Sequence, residues 1–151
     1  MSINQDFSDL FAELNAAGAR YLLVGGYAIA VHAEPRFTKD LDIWIDPGGD
    51  NPARVHEALD RFGAPVQQFA LADLQRPAMV IQLGVAPNRI DLVTSIDGVA
   101  FDDAWPSRTQ TTYGDHIVPV IGLTHLIENK RASGRPQDLA DVDLLTKHRD
   151  S

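Results

Sequence analysis

Hydrophobic positions in the first third of the chain alternate between helical spacing and short continuous runs. Apolar residues recur every three or four positions from 7 to 14, which predicts an amphipathic helix that ends near Gly18. Residues 21–24 form a short apolar run that is typical of a buried strand. Gly25-Gly26 interrupt this run before an apolar stretch at 27–32, which predicts a short helix. Residues 41–45 then show a second strand pattern.

Turn residues divide the rest of the chain. Asn51 is a typical cap for a helix that begins at Pro52 and ends at Gly63. The remaining apolar runs predict three strands at 79–85, 89–94 and 117–121, with a hairpin-like connection at 86–88, and two closing helices at 123–132 and 137–148. The sequence contains no repeat, low-complexity segment or linker. We therefore predict one domain over residues 1–151, of the α/β (α+β) class, with a small mixed sheet flanked by helices.

Composition narrows the kinds of protein that this pattern can form. With 151 residues, 44% of them hydrophobic and 23% charged, the chain is long enough for a substantial core and is globular in composition. The absence of cysteine excludes disulfides and thiolate metal sites. The first residues lack a secretory signal and no apolar run is long enough to span a bilayer, so we predict a cytoplasmic protein without a membrane partner. A net charge of −8 disfavours non-specific binding to long nucleic acids.

The second predicted strand carries candidate chemistry. Side chains alternate along a strand, so Asp40 and Asp42 lie side by side on one face while the aliphatic residues among them face the core. Two close carboxylates repel each other unless a proton or a cation intervenes, and oxygen ligands suit Mg²⁺ or Mn²⁺. However, a chain with 17 aspartates contains about two Asp-x-Asp triplets by chance. A second triplet, Asp141-Val142-Asp143, does occur, and we assign it to a solvated helix face.

Two further features lie near this triplet in the predicted topology. Gly25-Gly26 connect a strand to a helix, where glycine lets a ligand approach the backbone and free amides attract phosphate. Taken alone, the two glycines are also typical of a tight turn without a ligand. Asp91 lies between apolar neighbours on another predicted strand, which is equally typical of a half-exposed strand. Each feature is ambiguous by itself, and their combination is what indicates a site.

In combination, these residues resemble the polymerase-beta-like nucleotidyltransferase superfamily: the Gly25-Gly26 turn and its helix, Asp40-Leu41-Asp42-Ile43, and the later Asp91. More narrowly, the chain looks like the stand-alone bacterial group that includes the AbiEii-type toxin nucleotidyltransferases, on the basis of Gly25-Gly26-Tyr27-Ala28, His32, Arg36, Thr38, Lys39-Asp40-Leu41-Asp42, and the closing set Lys130, Arg135, Asp138 and Asp141. The match extends over residues 21–145 and implies the nucleotidyltransferase fold. Gly26 stands where the superfamily often has serine, so the turn itself lacks a hydroxyl for a phosphate. Larger members also carry a C-terminal domain that shapes the acceptor site, for which this chain has only its two closing helices.

The resemblance implies metal-dependent nucleotidyl transfer. A nucleoside monophosphate would move from a nucleoside triphosphate to a hydroxyl on a small molecule, a protein or an RNA end. Asp40, Asp42 and Asp91 would hold Mg²⁺ or Mn²⁺ and act as the catalytic residues, with Asp91 or a metal-bound water as the base. Three classes of function stay open: a transferase active alone, a catalytically idle nucleotide-binding or partner-interaction module, and one half of a toxin–antitoxin pair that needs a protein partner. A homodimer is a further possibility.

The resemblance also implies a set of phosphate contacts. Gly25, Gly26 and the helix after them would bind the phosphates, with Lys130 and Arg36 as counter-charges. For both cations the alternative is a surface position.

Several other residues have alternative interpretations. Asp138 and Asp141 are expected to orient basic residues such as Arg36 or Arg135 rather than to bind metal. Trp44 shares the aspartate face and could stack on a base, although packing under a helix is the more typical role of a large aromatic. The five histidines show no zinc spacing, and we expect His32 to fix the end of its helix.

Overall fold

A computed structural model describes residues 3–35, 38–84 and 88–150. In these ranges the strands are β1 Tyr21–Val24, β2 Leu41–Ile45, β3 Val80–Leu83, β4 Ile90–Val93, β5 Thr109–Tyr113 and β6 His116–Val120. The helices are α1 Gln5–Ala16, α2 Gly25–His32, α3 Asn51–Phe62, α4 Leu71–Gln75, α5 Phe101–Ala104, α6 Leu123–Ser133 and α7 Pro136–Asp150. None of these helices is long and apolar enough to cross a membrane.

The strands form one six-stranded mixed sheet in the order β3-β4-β2-β1-β6-β5. The pairs β1–β2, β3–β4 and β5–β6 are antiparallel, whereas β2–β4 and β1–β6 are parallel. The parallel pair β2–β4 brings together strands that are far apart in sequence, with α3 in the crossover between them. This architecture confirms the predicted α/β class with a mixed sheet flanked by helices.

The centre of the sheet is buried on both faces. All four residues of β1 are buried, which is why this strand reads as a continuous apolar run. On one face, Tyr21 stacks on Phe11 of α1, with ring centroids 6.2 Å apart. On the other face, Trp44 is 1% exposed and meets the ring of Phe101 edge-on at 5.0 Å. Trp44 is therefore a core residue, as its packing alternative predicted, and it does not offer a surface to a base.

The helix after β2 begins one residue earlier than predicted. Asn51 is the first residue of α3 rather than its cap, and the cap position belongs to Asp50. The buried Asn51 side chain instead accepts a hydrogen bond from the Arg20 amide at 2.6 Å and donates to the Asp46 carbonyl at 2.8 Å. Its amide thus ties the start of β1 to the end of β2. The predicted end of the helix is confirmed, since Gly63 adopts the left-handed conformation with φ of 96°.

The other predicted elements are confirmed, but one strand and two short helices were not predicted. The strands predicted at 79–85 and 89–94 pair antiparallel as β3 and β4, although most of their connection, residues 85–87, lies outside the described residues. Strand β5 was not predicted, because Thr109–Tyr113 is a polar and largely exposed edge strand without hydrophobic alternation. The short helices α4 and α5 also carry too few residues to show a period.

Candidate active site

Parallel pairing places two of the predicted aspartates side by side. Asp42 of β2 is in register with Asp91 of β4, and neighbouring strands lie about 4.8 Å apart. The register is fixed by apolar partners on the opposite face, where Leu41 pairs with Ile90 and Ile43 pairs with Leu92. A slip by one residue would move all of these aliphatic side chains out of the core. The core packing of the sheet therefore determines the acidic pair.

Gly25 closes the same end of the sheet on the other side of Asp42. Val24 pairs with Asp42 across β1 and β2, and the chain turns directly from Val24 into α2. A Cβ atom on Gly25 would collide with the Asp42 carboxylate, and Gly25 also has a φ of 69°. Both observations require glycine. The Asp42 carboxylate consequently lies against the start of a helix whose cap residue contributes no side-chain hydrogen bond.

The second glycine of the turn makes room for a hydroxyl. A Cβ on Gly26 would lie 2.9 Å from Thr38 Oγ1. Thr38 Oγ1 itself donates a weak hydrogen bond to the Asp40 carbonyl at 3.3 Å. The turn residue lacks a hydroxyl, as expected from the sequence, but the neighbouring segment brings one to the same place.

The environment of the acidic pair disfavours negative charge. Burial raises the pKa of Asp42 to about 6, and repulsion from Asp91 and Asp40 adds to the effect, while Lys130 and Arg89 oppose it. Burial also raises the pKa of Asp91, against the opposing influence of Arg89. A cation between the two carboxylates would relieve both costs.

Arg89 already contacts two of the three aspartates. Its Nη2 lies 3.3 Å from Asp40 Oδ2, and its Nε lies 3.4 Å from Asp91 Oδ1. The Arg89 backbone amide also donates to Asp40 Oδ1 at 3.4 Å. These contacts are long, because charge-assisted N–H···O bonds measure about 2.7–2.9 Å. Arg89 Nε and Asp91 Oδ1 are in fact buried without a hydrogen bond.

The three aspartates supply oxygen ligands of the kind that a divalent cation prefers, but their side chains are not arranged around one point. Asp42 and Asp91 provide adjacent carboxylates, and the buried Asp91 Oδ1 lacks a hydrogen-bond donor. Yet among the described residues no group of three or more His, Asp or Glu side chains is arranged to hold a metal. Asp40 and Asp91 instead both contact the Arg89 guanidinium. The structure thus brings Asp42 and Asp91 together and leaves Asp40 on Arg89.

Lys130 is held near the acidic pair by two buried aspartates. Its side chain is 13% exposed, and its Nζ lies 3.4 Å from Asp138 Oδ1 and 3.8 Å from Asp141 Oδ2. Asp138 also accepts a 2.8 Å hydrogen bond from Arg135 Nε. Asp138 and Asp141 therefore orient basic residues. The assignment of Asp141 to a solvated helix face was wrong: it is 3% exposed, because α7 packs this side against α6 and Lys130.

Arg36 and His32 were also named in the sequence analysis. Arg36 lies outside the described residues, so its predicted phosphate contact stays a prediction. His32 Nε2 is 2.6 Å from the Ile121 carbonyl oxygen, which fixes the end of α2 to the residue after β6.

Three residues at the site were missed by the sequence interpretation: Arg89, Thr38 as a hydroxyl beside the turn, and Gln82, which is in register with Asp91. Arg89 could have been identified from the sequence, because it lies two residues before Asp91 and residues two apart on a strand share a face.

Sequence comparison and structure comparison give different results for this chain. No family model matches it, and no curated protein matches it in sequence. Among solved structures, it is similar to the lincosamide antibiotic adenylyltransferase LnuA in its lincomycin-bound form, with a TM-score of 0.54 and 15% identity over 98% of this chain and 99% of that one. It is also similar to a Thermotoga maritima protein described provisionally as a nucleotidyltransferase, with a TM-score of 0.55 and 12% identity over 99% and 96% of the two chains. The chain therefore has the nucleotidyltransferase fold.

Proposed function

We propose that the protein transfers a nucleoside monophosphate from a nucleoside triphosphate to a hydroxyl acceptor, with Mg²⁺ or Mn²⁺ held by Asp40, Asp42 and Asp91. The observation that carries this proposal is the position of Asp42. Its partly buried carboxylate has a raised pKa, is in register with Asp91, and lies against the Gly25 turn at the start of α2. One end of the sheet thus combines an acidic pair with a helix start.

The start of α2 would bind the triphosphate of the substrate. Backbone amides in the first turn of a helix lack partners within the helix and attract phosphate. The space that side chains would take at Gly25 and Gly26 is filled by the Asp42 carboxylate and by Thr38, whose hydroxyl lies beside Gly26. Lys130, held by Asp138 and Asp141, contributes positive charge that acts on Asp42. The triphosphate would lie between this positive region and the carboxylates.

The acidic residues provide for the chemistry. A bound divalent cation would supply charge neutralisation to the transferring phosphoryl group and to the attacking and leaving oxygens. The acceptor oxygen forms a bond to the α-phosphorus, the bond from that phosphorus to the bridging oxygen breaks, and pyrophosphate leaves. Asp91, or a water held beside it, would take the proton of the acceptor hydroxyl.

Among the acceptors, we place a small hydroxylated molecule before a protein or an RNA end. LnuA is described as a lincosamide antibiotic adenylyltransferase, and its whole length corresponds to this chain. Membership of the AbiEii-like group and a role in a toxin–antitoxin pair stay predictions from the sequence.

The test is metal-dependent transfer with matched variants. Purified protein is incubated with labelled nucleoside triphosphates, Mg²⁺ or Mn²⁺, and pools of hydroxylated compounds, RNA or cell extract, and both label transfer and pyrophosphate release are followed. We expect turnover that chelator and Asp42→Asn each abolish, while Asp60→Asn, on the exposed side of α3, leaves it unchanged. Turnover that survives chelator would overturn the metal-dependent reaction.

The second candidate function is a nucleotide-binding module without turnover. The contacts of Arg89 with Asp40 and Asp91 favour it, because they neutralise two carboxylates without a metal. Thermal unfolding separates the two candidates, since a ligand that binds the folded state raises the melting temperature by mass action. A rise with nucleotide that also occurs in chelator, accompanied by no transfer to any acceptor, would favour the binding module.

A further inference from the structure

Arg89 is a charged residue of the site to which the proposed reaction gives no role. It lies two residues before Asp91 and contacts both Asp40 and Asp91, but not Asp42. The two contacts use neighbouring nitrogens, Nη2 and Nε, on one edge of the guanidinium. That edge can hold a single carboxylate through two parallel hydrogen bonds. Here it is divided between two carboxylates.

The divided edge holds neither carboxylate well. Both N···O distances exceed 3.2 Å, and Nε and Asp91 Oδ1 are left without a hydrogen bond although both are buried. An unsatisfied buried polar atom is costly, so this pairing is easily exchanged for a better one. Arg89 is also 36% exposed, which leaves it a path to solvent. The pairing therefore neutralises the carboxylates without locking them.

We propose that Arg89 is a positioning residue: it holds Asp40 and Asp91 while the site lacks metal, and releases them when a divalent cation binds beside Asp42. The inference rests on the proposed function, because it assumes that these aspartates bind metal. Asp42, which Arg89 does not contact, is the first anchor for the cation. Asp40 and Asp91 would then turn from the guanidinium to the metal and complete a three-carboxylate set, which the described residues do not form in the present arrangement.

The inference predicts that Arg89 competes with metal. Mn²⁺ binding to the nucleotide-free protein is measured by electron paramagnetic resonance or calorimetry for the wild type, Arg89→Gln and Arg89→Lys. Glutamine removes the charge and the shared contact. Lysine keeps the charge but, as a point charge, cannot divide a planar edge between two carboxylates. Arg61→Gln, which removes an exposed ion pair with Glu57 on α3, is the control.

We expect both Arg89 variants to bind Mn²⁺ about two- to fivefold more tightly than the wild type, the size of a lost ion pair, with Arg61→Gln unchanged. In chelator, both Arg89 variants should melt at a lower temperature than the wild type, because the carboxylates lose their shared partner. Saturating Mn²⁺ should remove that difference. The chelator measurement also shows whether each variant folds.

Each contrary result has a distinct meaning. Tighter binding by Arg89→Gln alone, with Arg89→Lys like the wild type, would overturn the positioning role and leave only a through-space effect of charge. Equal affinity in all variants would also overturn it, while Mn²⁺ binding to the wild type would leave the proposed function standing. If the wild type and both Arg89 variants bind no Mn²⁺, the inference fails together with the metal-dependent function.

Discussion

The two ends of β2 each present a carboxylate, and their environments are opposite. At the end of the strand, Asp46 is 7% exposed, accepts a 2.9 Å hydrogen bond from the Gly48 amide and pairs with Arg20 at 3.5 Å. Arg20 is held in turn over the Trp105 ring, 4.8 Å from its centroid. Near the start of the strand, Asp42 instead has Asp91 as its register neighbour on the adjacent strand β4. The ionised carboxylate of Asp46 is therefore stabilised by its partners, whereas that of Asp42 is disfavoured by burial and by neighbouring acids.

This difference separates an aspartate whose partners within the chain stabilise its charge from one whose nearest neighbours include other carboxylates. A buried carboxylate that contributes to folding finds its hydrogen bonds and counter-charge within the chain. A carboxylate whose pKa is raised by burial and by other acids costs folding free energy, which a bound cation would restore. The comparison can be tested because each end also contains a glycine with positive φ, Gly25 at one end and Gly49 at the other.

The largest effect is expected from adding a methyl group beside Asp42. Gly25→Ala should destabilise the protein by about 2–5 kcal/mol, since alanine pays about 1–2 kcal/mol for the left-handed conformation and about 1–3 kcal/mol for the collision with the carboxylate. Gly49→Ala should cost only the conformational part, about 1–2 kcal/mol, because nothing lies within 4 Å of the added atom. Chemical denaturation measures both. Equal losses would mean that Asp42 moves away from Gly25 without cost.

The next effect compares the two carboxylates directly in the metal-free protein. At pH 7, Asp42→Asn should stabilise the fold by about 1–3 kcal/mol, because it removes a charge whose pKa is about 6 in the folded state. Asp46→Asn should destabilise the fold by about 1–2 kcal/mol, because the ion pair with Arg20 is lost.

Chemical denaturation in chelator and again in saturating Mn²⁺ tests whether Asp42→Asn stabilises the protein and Asp46→Asn destabilises it. The metal should reverse the ranking of wild type and Asp42→Asn, and should leave the cost of Asp46→Asn unchanged. If Asp42→Asn destabilises the metal-free protein as much as Asp46→Asn does, Asp42 belongs to the fold like Asp46.

The smallest effect is a pH dependence. The folded pKa of Asp42, about 6, lies above its unfolded value, so the folded state binds the extra proton and stability falls as pH rises between the two values. In chelator, the wild type should lose about 1 kcal/mol more than Asp42→Asn between pH 5 and pH 7. Asp138, whose pKa is lowered by its hydrogen bond from Arg135, changes stability only at lower pH and is present in both proteins. Parallel pH profiles would contradict the raised pKa.

The sequence predicted most of the fold because its elements carry local signals. The alternation in β2 correctly separated Asp40 and Asp42 from the aliphatic face, and the spacing in α1 identified core residues such as Phe11 and Leu14. Strand β5 has no such signal, since an exposed polar edge is specified by its partner β6 rather than by its own composition. Trp44 lies on the aspartate face as alternation requires, but its burial depends on Phe101, far along the chain.

The sequence singled out Asp42 and Asp91, which the fold brings together, but it did not give their contacts. That Asp42 and Asp91 are direct neighbours depends on the register of a parallel pair, which no local pattern encodes. The use of the Arg89 edge by two aspartates, and the place of Thr38 beside Gly26, arise only when separate segments meet. Asp141 shows the same limit, because an aspartate on a helix appears solvated until the facing residue proves to be Lys130.

The short pairing between β1 and β6 is where we expect the sheet to open locally. These strands share a single register pair, Leu23 with Val120, and a hydrogen bond from the Ile121 amide to the Leu23 carbonyl, whereas each other strand pair in the described sheet has four or five register pairs. Lys130 lies in α6, which follows β6 in the chain, and the acidic pair lies on β2 and β4. A partial opening costs only the contacts that it breaks. Amide hydrogen exchange in β6 would therefore report how often this pairing opens while the rest of the sheet stays folded.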